Sequence, residues 1–104
     1  MRICLDFDGV LHDAHHPNAG RKMGPPIDGA LDGVYQLQAA GHTLVLHTAR
    51  AQTEAQAQHI YAWLRFYGFP RIAVSIPKPI ADLYVDDRGL RFTSWPQALQ
   101  EMGL

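Results

Sequence analysis

Cysteine is nearly missing from this sequence: Cys4 is the only one. An intrachain disulfide is thereby excluded, which suits a reducing compartment. Its place inside an apolar run marks Cys4 as a small core residue rather than a reactive thiol. Long apolar runs are missing too. None approaches the roughly 20 residues of a membrane-spanning helix. No apolar stretch of signal-peptide length precedes Asp6, so a cytoplasmic protein with no membrane partner is the expectation. Charge of one sign is not in excess either, the formal net charge being −1. No global field draws in nucleic acid, although that does not exclude a nucleic-acid substrate. There is no internal repeat and no low-complexity segment. With 104 residues, 47% hydrophobic and 18% charged, residues 1–104 read as one domain around one small core.

The apolar pattern alternates strands and helices. Ile3 to Phe7 reads as a strand that stops at Asp8-Gly9, and His12 to Pro26 reads as a surface loop or flap rich in Pro and Gly. Asp28 is placed to cap a helix to about Ala40, with Leu31, Val34 and Leu37 on one face. Thr43 to His47 is a second strand. Thr53 caps a second helix whose stripe is Ile60, Trp63, Leu64 and Tyr67, with Phe66 also assigned to the core. Ile72 to Ile76 and Leu83 to Val85 are further strands, and Pro96 to Met102 is a closing helix with Ser94 near its start. This order predicts an α/β, doubly wound, Rossmann-like and mostly parallel sheet with helices on both faces. The link from Pro77 to Asp82 is too short for a full helix.

The polar residues cluster at strand ends. Asp6 and Asp8 close the first strand, Thr48 and Arg50 follow the second, Lys78 follows the third, and Asp86 and Asp87 end the fourth. An open parallel sheet binds ligands outside the carboxyl ends of its strands. Several carboxylates crowded together repel one another unless a cation sits among them, and hard oxygen donors favour Mg2+. A threonine hydroxyl and a lysine ammonium suit phosphate oxygens. The set therefore reads as acceptor, metal cage and phosphate clamp for a phosphorylated substrate. His12, Asp13, His15 and His16 match no zinc spacing, and no cysteine assists them. His12 lies near enough to the first strand end to touch substrate, whereas His42, His47 and His59 read as structural or exposed.

Asp6-Phe7-Asp8-Gly9-Val10 resembles the first motif of the haloacid dehalogenase superfamily. Leu46-His47-Thr48-Ala49-Arg50 looks like its second, Lys78 fits its third, and Val85-Asp86-Asp87 is similar to its fourth. The resemblance runs from Ile3 to Asp87. It implies a phosphatase that hydrolyses phosphomonoesters through an aspartyl-phosphate, with Asp6 as nucleophile and Asp8 as acid and base. It further implies Mg2+ held by the Asp6 carboxylate, the Asp8 backbone carbonyl and Asp86, with Asp87 an outer ligand or a partner of Lys78. Thr48 and Lys78 would bind the phosphoryl group, with Gly9 beside it. Arg50 lies outside the core motifs and is a candidate substrate contact. The gaps between motifs hold no cap domain. The open site would admit a bulky or macromolecular substrate, or a neighbouring subunit of a homo-oligomer could cover it. Two other classes compete. A receiver-like signalling module shares the residue types, but there the adjacent acidic pair follows the first strand, whereas here it comes last. A non-catalytic binding domain of the same superfamily has no support, because every expected catalytic position is filled.

Overall fold

The computed structural model describes residues 1–15, 23–86 and 90–104. Along the chain the elements are β1 (Arg2–Leu5), α1 (Ala30–Ala39), β2 (Thr43–Leu46), α2 (Glu54–Phe66), β3 (Ala73–Val74), β4 (Leu83–Asp86), β5 (Leu90–Arg91) and α3 (Trp95–Glu101). The strands form one five-stranded sheet in the order β3-β2-β1-β4-β5. Every neighbouring pair is parallel. The first strand is thus central, and the strand order reverses beside it, as in the doubly wound α/β arrangement. β5 is a strand the sequence pattern does not announce. No described helix is long and apolar enough to cross a membrane.

The two faces of the sheet are covered differently. Successive strand residues point to opposite sides, and pairing aligns Ile3 with Leu44 and Leu83, and Leu5 with Leu46 and Val85. These residues join one core with Val34 and Leu37 of α1, Ile60, Trp63 and Leu64 of α2, and Trp95 of α3. The other face carries Cys4, Val45 and Tyr84. There the chain returns from β3 to β4 as residues 75–82. The Tyr84 hydroxyl donates to the Pro79 carbonyl at 2.6 Å and accepts from the Ala81 N–H at 3.2 Å. The layering is therefore more lopsided than helices on both faces implies. Right-handed crossovers send the return to β4 over the face opposite α1 and α2. Pro77 and Pro79, in so short a link, deny that return a helix.

Helix ends follow local chemistry. The Thr53 hydroxyl caps α2 by accepting from the Gln56 N–H at 3.2 Å, and Ser94 caps α3 through the Gln97 N–H at 3.3 Å. The start of α1 departs from expectation. The Ala30 N–H donates to the Ile27 carbonyl at 3.0 Å, and Gly29 sits at φ 85°. That is a turn needing glycine at its third position. Asp28 is the second residue of this turn, one step too early to cap, and no side chain caps α1. Phe66 is 81% exposed rather than in the core. Two residues past Leu64, it lies about 200° around the helix from the buried stripe.

Trp95 ties α3 to the rest. Its indole N–H donates to the Val10 carbonyl at 3.0 Å, and it is 1% exposed. Its ring lies on Gly33 of α1, where a Cβ would stand 2.3 Å from the Trp95 Cε3 atom. Alanine ordinarily stabilises a helix interior by about 1 kcal/mol over glycine. Here the clash dominates, and Gly33→Ala is expected to lower stability by about 1–3 kcal/mol, measured by urea unfolding. An unchanged or raised midpoint would mean that the Trp95 ring shifts without cost.

Candidate functional site

β1 ends between β2 and β4, and the ladders continue one step past the strands. The His47 N–H donates to the Leu5 carbonyl at 3.1 Å, and the Asp6 N–H donates to the Val85 carbonyl at 3.2 Å. His47, Asp6 and Asp86 therefore stand in a row across three strand ends, on the face of Cys4 and Tyr84. An open cleft of about 250 Å³ lies there, lined by Cys4, Asp6, His47, Thr48, Ala49, Lys78, Tyr84 and Asp86. A second hollow of about 270 Å³ adjoins it, lined by Asp6, Asp8, Gly9, Val10, Asp86 and Phe92. Asp6 and Asp86 belong to both and form the wall between them.

Asp6, Thr48, Lys78 and Asp86 thus meet in one cleft, while Asp8 and Gly9 face the adjoining hollow. Arg50 lines neither, but its Nε–H reaches Asp8 Oδ1 at 2.9 Å and Oδ2 at 2.7 Å. Asp87 lies outside the described residues, so its expected metal role has no geometry here. The buried Thr48 accepts from the Arg50 N–H through its hydroxyl at 3.2 Å, which fixes the turn after β2. The exposed Lys78 sits on the crossover with its ammonium 4.9 Å from the centre of the Tyr84 ring. Asp6 Oδ1 accepts from the Phe7 N–H at 2.8 Å. Gly9, at φ 81°, turns the chain out of the strand, so Asp8 faces the second hollow.

The loop after β1 is pinned from inside. The Gly9 N–H donates to the His12 carbonyl at 2.9 Å, and the His12 N–H donates to the Phe7 carbonyl at 2.9 Å. His12 is wholly buried. It cannot touch substrate as its sequence position suggested, because its ring stacks on Phe7 with centroids 5.2 Å apart and meets the edge of Trp63. Both sides of Gly24 are also held: its N–H donates to His12 Nε2 at 2.7 Å, and its carbonyl accepts from the Trp63 indole at 2.8 Å. The expected surface loop therefore has two buried anchors, His12 and Gly24.

Besides Cys4, which was read only as a core residue, two residues lining the cleft escape sequence reasoning. His47 lines the cleft and its Nδ1 meets the Ser75 carbonyl at 3.2 Å. Tyr84 forms part of the wall and supports Lys78. Strand register could have found both, since each shares the face of Asp6. Among the described residues, no group of three or more His, Cys, Asp or Glu side chains is arranged to hold a metal ion. Mg2+ needs fewer, being commonly held by one or two carboxylates and several waters. The adjacent Asp6 and Asp86 carboxylates fit that requirement.

No family model matches the chain, and none of the curated proteins matches it. Among solved structures it is similar to a conserved protein coded by a locus from Bacteroides thetaiotaomicron, with 25% sequence identity and a TM-score of 0.77. The likeness covers 99% of this chain and 89% of that one. The α/β fold is thus shared over nearly the whole length.

Cys4 reports on the charge in the cleft. Burial pushes its thiol above the ordinary range, Asp86 and Asp6 push the same way, and Lys78 and Arg2 oppose them. The folded chain therefore keeps the proton to higher pH than the unfolded chain. Because the thiolate is the attacking form, alkylation of native Cys4 at pH 8 should be slower than in urea. The native rate should still climb at pH values where the unfolded rate has levelled off. Coincident pH profiles would show that the cleft does not hold the thiol protonated.

Proposed function

We propose that this chain is a Mg2+-dependent phosphatase of the haloacid dehalogenase type, acting on phosphomonoesters through an aspartyl-phosphate on Asp6. One observation carries the reading: Asp6, Thr48, Lys78 and Asp86, from four separate segments, line the same cleft at the strand ends. A single buried thiol favours a reducing, cytoplasmic setting. No second domain exists among the described residues, so the substrate class includes macromolecular phosphoesters as well as small ones.

A carboxylate oxygen of Asp6 attacks phosphorus from a side chain whose Oδ1 also accepts from the Phe7 N–H. As the new phosphorus–oxygen bond forms, the ester bond breaks. The leaving oxygen keeps the bonding pair and takes a proton from Asp8. Water then attacks the same phosphorus and gives a proton to Asp8, and the bond to Asp6 breaks, releasing phosphate and restoring the carboxylate. The Thr48 hydroxyl and the Lys78 ammonium stabilise the negative charge on the transferring group. The Asp6 and Asp86 carboxylates and the Asp8 backbone carbonyl are the groups that would hold Mg2+. When bound, the ion supplies positive charge against the phosphate oxygens.

With an aryl phosphate, turnover is expected with Mg2+ and is expected to vanish with chelator. Asp6→Asn should lose more than the roughly 10²–10⁴-fold attributable to acid and base help alone. Steady-state hydrolysis of the two proteins checks this. Turnover retained by Asp6→Asn, or retained in chelator, would overturn the assignment.

A further inference from the structure

Asp8 is gripped by two partners of opposite character. Arg50 approaches from the solvent side, where its side chain is 36% exposed and that of Asp8 34%. His12 approaches from the core, with its side chain wholly buried. An exposed ion pair is weak and readily exchanged, so Arg50 can leave when a substrate enters. His12 cannot leave, being stacked on Phe7 at an interplanar angle of 4° and set against the edge of Trp63.

The hydrogen bonds also fix the histidine tautomer. The Gly24 N–H can only donate, so His12 Nε2, 2.7 Å away, accepts. A ring that accepts at Nε2 carries its proton on Nδ1. That proton points at Asp8 Oδ1, 2.7 Å distant. Oδ1 thus receives both His12 and Arg50, whereas among the described residues Oδ2 meets Arg50 alone. When Arg50 moves off, Oδ1 stays tethered to the core and Oδ2 is exposed to the hollow.

We propose that His12 is the positioning residue for Asp8: its Nδ1–H holds Oδ1 and presents Oδ2 as the oxygen that passes the proton to the leaving group. The inference rests on the phosphatase reading above. It gives a function to a buried histidine that no motif of the site accounts for. The loop's inner anchor, Gly24 on Nε2, becomes the device that sets which ring nitrogen donates.

Two substitutions separate positioning from packing. In His12→Gln the side-chain carbonyl can still accept from Gly24, but the donor to Asp8 is lost. In His12→Asn the amide lies where Nδ1 was and restores that donor. Both are compared with wild type on an aryl phosphate, whose leaving group needs little protonation, and on an alkyl phosphate, whose leaving group needs much. His12→Gln is expected to lower kcat on the alkyl ester by about 10–100-fold, the range for losing a supporting hydrogen bond at a reactive group. The aryl ester should lose far less, with KM little changed on both. His12→Asn should recover most of the alkyl rate. An equal loss on both esters, no loss at all, or His12→Asn no better than His12→Gln would overturn the proposal. Wild type inert toward both esters, or an active Asp6→Asn, would instead overturn the phosphatase reading and this inference with it.

Discussion

Simultaneous pairing of β1 with β2 and with β4 is the constraint on which the rest of this structure depends. It is parallel on both sides, so the three strands end at one level. His47, Asp6 and Asp86 then become neighbours although the sequence separates them widely. Two carboxylates side by side are unfavourable without compensating positive charge. The fold accepts the arrangement because backbone ladders and apolar packing on the opposite face fix the strands regardless of what their ends carry. Among the described residues, Lys78, on the crossover above the same face, is a cation that the topology brings to them.

The second organising feature is the inward anchoring of the segment after β1. Loops usually run over the surface because their polar backbone groups need water. Here Trp63 and His12 replace water at Gly24, and Trp95 replaces it at Val10. Each tryptophan contributes a large apolar surface and one donor, so it fills the core and satisfies a buried carbonyl together. A loop held in this way can carry Asp8 at a defined distance from Asp6 without a further strand.

The strand order and the polar residues beyond the strands were the legible part of the sequence. Short apolar runs giving way to Asp, Thr or Lys locate the end of the sheet where the polar groups gather, although β1 and β3 stop at Leu5 and Val74, short of the expected Phe7 and Ile76. The helical stripe of Ile60, Trp63 and Leu64 is found in the core. What was not legible depended on pairing or on backbone angles. His47 reads as an incidental histidine until register places it beside Asp6. Asp28 looks like a cap because its residue type is right, yet the glycine after it spends that position on a turn. His12 reads as polar loop because composition says nothing of the Phe7 and Trp63 rings enclosing it. The extended crossover was implied by a link too short for a helix. Its consequence, three helices sharing one face, emerges only when the core is assembled.

The central position of β1 also bears on the order in which the molecule forms. The first strand made must wait for β4, whose register pairs Ile3 with Leu83, and closing so long a loop is entropically the slowest kind of contact to make. α1, β2 and α2 can assemble on β1 earlier through contacts closer in sequence. A chain stopped at that stage would possess Asp6 and Thr48 but neither Lys78 nor Asp86. The cleft is therefore completed by the last long-range closure, and nascent or partly folded chains carry an unfinished site.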